Sequence, residues 1–86
     1  MQADKKQVTR LLKTARGQID GILKMIEEDR YCIDISTQLM AATSVLQRAN
    51  KEVLSAHLKS CVAHARTQEE VDEKVDEFIR TMEKIL

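Results

Sequence analysis

Apolar residues recur at three- and four-residue steps along most of this chain. Val8, Leu11, Leu12, Ala15, Ile19, Ile22, Leu23 and Ile26 form the first series. A period near 3.6 predicts an amphipathic helix from about Asp4 to Glu28. The stretch EEDRYC, residues 27–32, interrupts the series, and Asp34 or a neighbour is placed to cap a second helix. Ile35, Leu39, Ala42, Leu46, Ala49, Val53, Leu54 and Leu58 carry that helix, with no breaker before about Arg66. Thr67, followed three residues on by Glu70, fits a capping box and opens a third helix. Val71, Val75, Phe78, Met82 and Leu86 supply its apolar stripe. Residues 1–86 therefore read as one all-α domain of three helices with a long central one, without repeats or linkers.

The lengths of these helices bear on assembly. A central helix of about 32 residues spans roughly 48 Å at ~1.5 Å per residue. The third helix, about 18 residues at the same rise, covers only part of it. An apolar-striped helix that its own chain cannot cover predicts a homo-oligomer. The simplest form is an antiparallel pair of long helices across a two-fold axis. Gly17 and Gly21, four apart on one face of the first helix, leave room for another helix to come close.

Composition agrees with helices and narrows the compartment. The chain has no proline, two glycines, one tyrosine and one phenylalanine, and a third of its residues are charged. No apolar run approaches the ~20 residues that span a bilayer. The opening MQADKKQ lacks the apolar stretch of a secretory signal. The expectation is a cytoplasmic protein with no membrane association. Thiols stay reduced there, so two cysteines favour metal or redox chemistry over a structural disulfide. The formal net charge is zero, yet bases concentrate in residues 1–24 and acids in residues 69–86. Two readings of that asymmetry stay open: a basic face for a polyanion, or solvated helix faces.

The candidate chemistry lies in AHLKSCVAH, residues 56–64. It holds both histidines and one of the two cysteines. On a helix His57 and Cys61 stand one turn apart on one face. Cys32 precedes His57 by 25 residues, roughly 37 Å along a helix. Metal–ligand bonds are ~2.0–2.3 Å, so one chain cannot bring the three to one ion while the long helix is unbroken. An intrachain disulfide is excluded for the same reason. In an antiparallel dimer the start of one long helix meets the end of the other, and Cys32 of one copy reaches His57 and Cys61 of its neighbour. Two thiolates and an imidazole suit Cu(I), which accepts three ligands. Zinc usually takes a fourth, which His64 is placed to supply unless it is a solvated surface histidine. The bland alternative for the trio is two small core cysteines and a satisfied histidine.

KTARGQIDGI (13–22), MIEEDRYCIDI (25–35), LQRANKEVL (46–54) and HLKSCV (57–62) resemble the CsoR family of bacterial metal-sensing transcriptional repressors, over nearly the whole chain. The Cys…His-x-x-x-Cys pattern is its most specific part. The resemblance implies a three-helix protomer, an antiparallel dimer and a tetramer built as a dimer of dimers. It implies that the metal-free tetramer holds operator DNA and that Cu(I), bound by Cys32, His57 and Cys61, releases it. Nickel and cobalt sensors of the family recruit an N-terminal histidine and usually carry His at the last ligand position; here the N-terminus has none and residue 61 is Cys. Formaldehyde sensors lack that cysteine, and persulfide sensors lack the histidine. Tyr31 and Glu77 match an outer shell thought to couple metal to DNA. The resemblance places DNA on basic surface of the first two helices, with candidates Arg10, Lys13, Arg16 and Arg48, and Lys5 and Lys6 at the edge. Many members have an arginine six residues before the glycine of the GQ pair. Here Leu11 stands there and Arg10 one residue earlier, a rotation of ~100°. Gln18 is a further candidate, structural rather than base-reading.

Two other classes compete with the copper repressor. The first is a thiol-based repressor in which Cys32 and Cys61 sense persulfide or oxidants across subunits. The second is a metal buffer or structural helical oligomer that binds no DNA. No enzymatic activity is expected, because the sequence offers no oxyanion site or enclosing pocket beside His57 and Cys61.

Overall fold

A computed structural model describes residues 1–85. It has three helices in chain order: α1 (Lys5–Glu27), α2 (Cys32–His64) and α3 (Gln68–Ile85). Leu86, assigned by its pattern to the last stripe, lies outside the described residues.

Each boundary has a local cause. The Asp4 carboxylate caps α1, accepting from the backbone N–H groups of Lys6 at 2.9 Å and Gln7 at 3.4 Å. At the far end Asp29 takes a left-handed φ of 50°. Arg30 N–H donates to the Met25 carbonyl at 3.0 Å, and Asp29 N–H to that of Ile26 at 3.1 Å. Those two bonds make a Schellman cap with aspartate where glycine is commoner. The chain reverses there, and α2 begins at Cys32 behind Tyr31, whose side chain makes no capping bond. Asp34 is thus not the cap. It lies in the first turn, where its charge still suits the helix dipole. Thr67 Oγ1 accepts from Glu70 N–H at 3.1 Å, and the Glu70 carboxylate accepts from Arg66 N–H at 2.8 Å. The predicted capping box forms with its return bond shifted one residue outward.

The helices lie in a thin layer. α1 and α3 each pack on α2, and no contact joins α1 to α3 among the described residues. The molecule extends 57 Å along its longest axis and 12 Å along its shortest, about the width of one helix with its side chains. The buried seam is Val8, Leu11, Ala15 and Ile22 of α1 against Ala42 and Ala49 of α2. The two small alanines, seven apart, let α1 approach closely. No large side chain is fully buried among the described residues. Leu12, Ile19, Leu23 and Ile26 leave an exposed apolar edge along α1, and Ile33, Leu39, Met40 and Leu46 do the same on α2. Gly17 and Gly21 face open space, so the close approach their spacing permits is not made inside this chain.

Thr67→Ala is expected to cost about 1 kcal/mol by removing the α3 cap, while Thr67→Ser retains most of it. Urea denaturation at fixed protein concentration checks both.

Candidate metal centre

His57 and Cys61 lie on the last third of α2, where α3 folds back against it. Their four-residue spacing turns both toward one face, and His57 Nε2 comes within 3.4 Å of Cys61 Sγ. Beside them, between α2 and α3, is a cavity of about 30 Å³. Leu54, Leu58 and Phe78 form its apolar wall, and Lys74 and Glu77 of α3 bring opposite charges to it. Lys74 Nζ stands 3.6 Å from Glu77 Oε2, one turn away on the same helix. The cavity thus presents a soft thiol, an imidazole, a carboxylate and an ammonium within a few side-chain lengths. His57 is exposed and Cys61 half-buried.

The other candidates lie elsewhere. Cys32 is exposed at the opposite end of α2, and both cysteines are free. Because α2 runs unbroken from Cys32 past Cys61, the two are separated by roughly 43 Å of helix. Tyr31 stands beside Cys32 and is 68% exposed, so within one chain it meets neither His57 nor Glu77. Among the described residues no three of His, Cys, Asp and Glu gather as a metal site. His57 and Cys61 fit a soft metal as donors, one thiol and one imidazole side by side, but they are an incomplete set. The His64 ring donates through Nδ1 to the Ser60 carbonyl at 2.7 Å and does not line the cavity.

Of the basic candidates, Lys5, Lys6, Arg10 and Lys13 line one shallow concavity on the exposed face of α1. Arg16 is exposed further along α1 and Arg48 is exposed on α2, and neither lines that concavity. Arg10 donates to the Gln7 side chain. The Gln18 amide oxygen is buried without a hydrogen-bond partner, so it is not offered to the surface.

Sequence reasoning missed Lys74. Its three-residue spacing from Glu77 was legible, but nothing in the chain says which of the acids and bases of α3 faces His57. Only the crossing of α3 over α2 decides that.

Residues 4–84 match the family described as metal-sensitive transcriptional repressor. The chain belongs to this family. Its CsoR members include the copper-sensing transcriptional repressor CsoR of Mycobacterium ulcerans, 48% identical over 69 residues, which cover 76% of this chain. This chain spans only 59% of that protein's length. The copper-sensing repressor CsoR of Bacillus subtilis is 33% identical over 81 residues, covering 94% of this chain and 80% of its own. Among solved structures, the copper-sensing repressor CsoR with Cu(I) from Geobacillus thermodenitrificans superposes with a TM-score of 0.76 at 30% identity, covering 92% of this chain and 82% of its own. The nickel-responsive regulator InrS reaches a TM-score of 0.79 at 22% identity, covering 100% of this chain and 97% of its own, a likeness of fold alone. The family that residues 4–84 match is one of transcriptional repressors rather than enzymes.

Since neither His57 nor Cys61 is part of the buried seam, His57→Ala and Cys61→Ala are each expected to change unfolding free energy by less than about 1 kcal/mol. Circular dichroism and urea denaturation check this. Loss of the fold in either variant would make the pair structural.

Proposed function

We propose that this chain is a copper(I)-responsive transcriptional repressor that holds operator DNA without metal and releases it on binding Cu(I). The observation that carries this reading is the His57–Cys61 pair at 3.4 Å, open to a cavity that Glu77 also lines. Its partner ligand is Cys32 of a second copy. The exposed apolar edges of α1 and α2 support an assembly in which long helices pair antiparallel and two dimers combine. That pairing sets Cys32 and Tyr31 of one copy beside His57, Cys61 and Glu77 of another. The copper-sensing relatives and the Cu(I)-bound neighbour lend weight to the metal. So does the donor set, since residue 61 is a soft thiol rather than a second imidazole.

Bound Cu(I) would supply bonds tying Cys32 of one copy to His57 and Cys61 of another. His57 would hold the ion through one ring nitrogen and would offer its other N–H to an acceptor, for which Glu77 lines the same cavity. Glu77 thereby carries the state of the site into α3. DNA and metal weaken each other by one coupling free energy, since each favours a different arrangement of the same oligomer. Both cysteines bind as thiolates, so metal affinity falls in acid. Lys5, Lys6, Arg10 and Lys13 give α1 a phosphate-facing surface, with Arg16 and Arg48 adding to it in the assembly. The histidine beside Cys61 favours this reading over a thiol sensor that would use Cys32 and Cys61 alone. Cytoplasmic residence follows from the repressor role.

Anaerobic titration of the reduced protein on its own promoter fragment, read by fluorescence anisotropy, tests the proposal. Release is expected at about one Cu(I) per protomer. His57→Ala is expected to keep part of the copper binding through the two thiols and to lose DNA release. Full release by copper in that variant contradicts the switch. Release by a persulfide donor with no response to copper moves the protein to the thiol-sensing class.

A further inference from the structure

Among the described residues that line the cavity beside His57 and Cys61, Lys74 of α3 is the one that carries a permanent positive charge. It faces a place where charge must change. Filling two thiols with Cu(I) brings in one positive charge and sends two protons to solvent, so the site becomes one charge more negative. Filling them with Zn(II) brings in two charges for the same two protons, and the net charge is unchanged. If Cys61 alone loses a proton, the two balances become zero and plus one. In either case the metals differ by one unit of charge, and a nearby fixed cation favours the lesser charge. We infer that Lys74 is a charge-selecting residue of this site, favouring a monovalent soft cation over a divalent one. The inference rests on the metal-site reading above and adds a residue to it.

Glu77 does not cancel the effect. Its carboxylate is 3.6 Å from Lys74 Nζ, but the pair is exposed, 46% on the lysine and 54% on the glutamate. Such pairs open at little cost. Removing Lys74 would leave Glu77 uncompensated beside the cavity, and a lone carboxylate favours the more highly charged metal. Lys74 is a surface residue, so its replacement does not threaten the buried seam.

The test uses the full-length reduced protein without DNA. Cu(I) and Zn(II) affinities are measured separately by anaerobic competition against chelators for wild type, Lys74→Met, Lys74→Arg and Lys74→Glu. The Cu(I)-to-Zn(II) affinity ratio is expected to fall roughly three- to tenfold in Lys74→Met at low ionic strength. It is expected to fall further in Lys74→Glu and to hold in Lys74→Arg. Added salt is expected to narrow the gap between wild type and Lys74→Met. An unchanged ratio in the Met and Glu variants, or an equal loss for both metals, overturns the role of Lys74 alone. Wild-type protein that takes up no Cu(I) through its cysteines overturns the metal site, and this inference with it.

Discussion

Everything about this molecule follows from the unbroken length of α2. Thirty-three residues run from Cys32 to His64 without proline, glycine or kink-forming cap. The rod is stiff because each backbone N–H is tied to the carbonyl one turn back. It therefore holds Cys32 at one end and the His57–Cys61 pair at the other, with no local rearrangement able to join them. In the proposed reading, a ligand set divided in this way is incomplete within one chain. It becomes useful when two rods lie antiparallel, because that symmetry alone brings opposite ends together twice.

The thinness of the protomer points in the same direction. In a layer 12 Å deep no large side chain is fully buried among the described residues, and the seam between α1 and α2 is lined by alanines and a few aliphatics. Met40 is 60% exposed and Leu23 and Ile26 are each 54% exposed. Burying that surface against other copies is the main source of stability open to a chain of this size. In the proposed assembly the same contacts that stabilise the fold also complete the metal site. Folding, association and metal capture are then linked equilibria, and a change at His57 has only to bias how helices pack to alter a distant DNA-binding face.

The sequence told most of this and stopped at identifiable places. Helix periodicity, the length of α2, the Thr67–Glu70 cap and the face shared by His57 and Cys61 were all legible, since each depends on residues within a turn of one another. Of the residues around Asp34 open as the cap of α2, the structure selects Tyr31, which no side-chain bond marks. The signal lay one step earlier, in Asp29, an aspartate taking the left-handed position that glycine usually marks. Glu77 entered through resemblance alone, and the structure sets it on the cavity of His57 and Cys61. Lys74 was invisible, because which residues of α3 face α2 is a matter of tertiary packing. His64 stands on a nearby face of the helix, but its Nδ1 donates to the Ser60 carbonyl and the residue does not line the cavity.

In the proposed assembly Cys32 of one copy completes the site of another. Subunit mixing tests it most directly. Cys32→Ala and Cys61→Ala proteins are unfolded together, refolded as a mixture, and assayed anaerobically for tight Cu(I) sites. Each variant alone has no complete site. In a mixed antiparallel dimer one site regains all three ligands and the other loses both cysteines. Random mixing therefore predicts recovery of about a quarter of wild-type capacity. No recovery on mixing, or full capacity in either variant alone, would contradict a site shared between subunits.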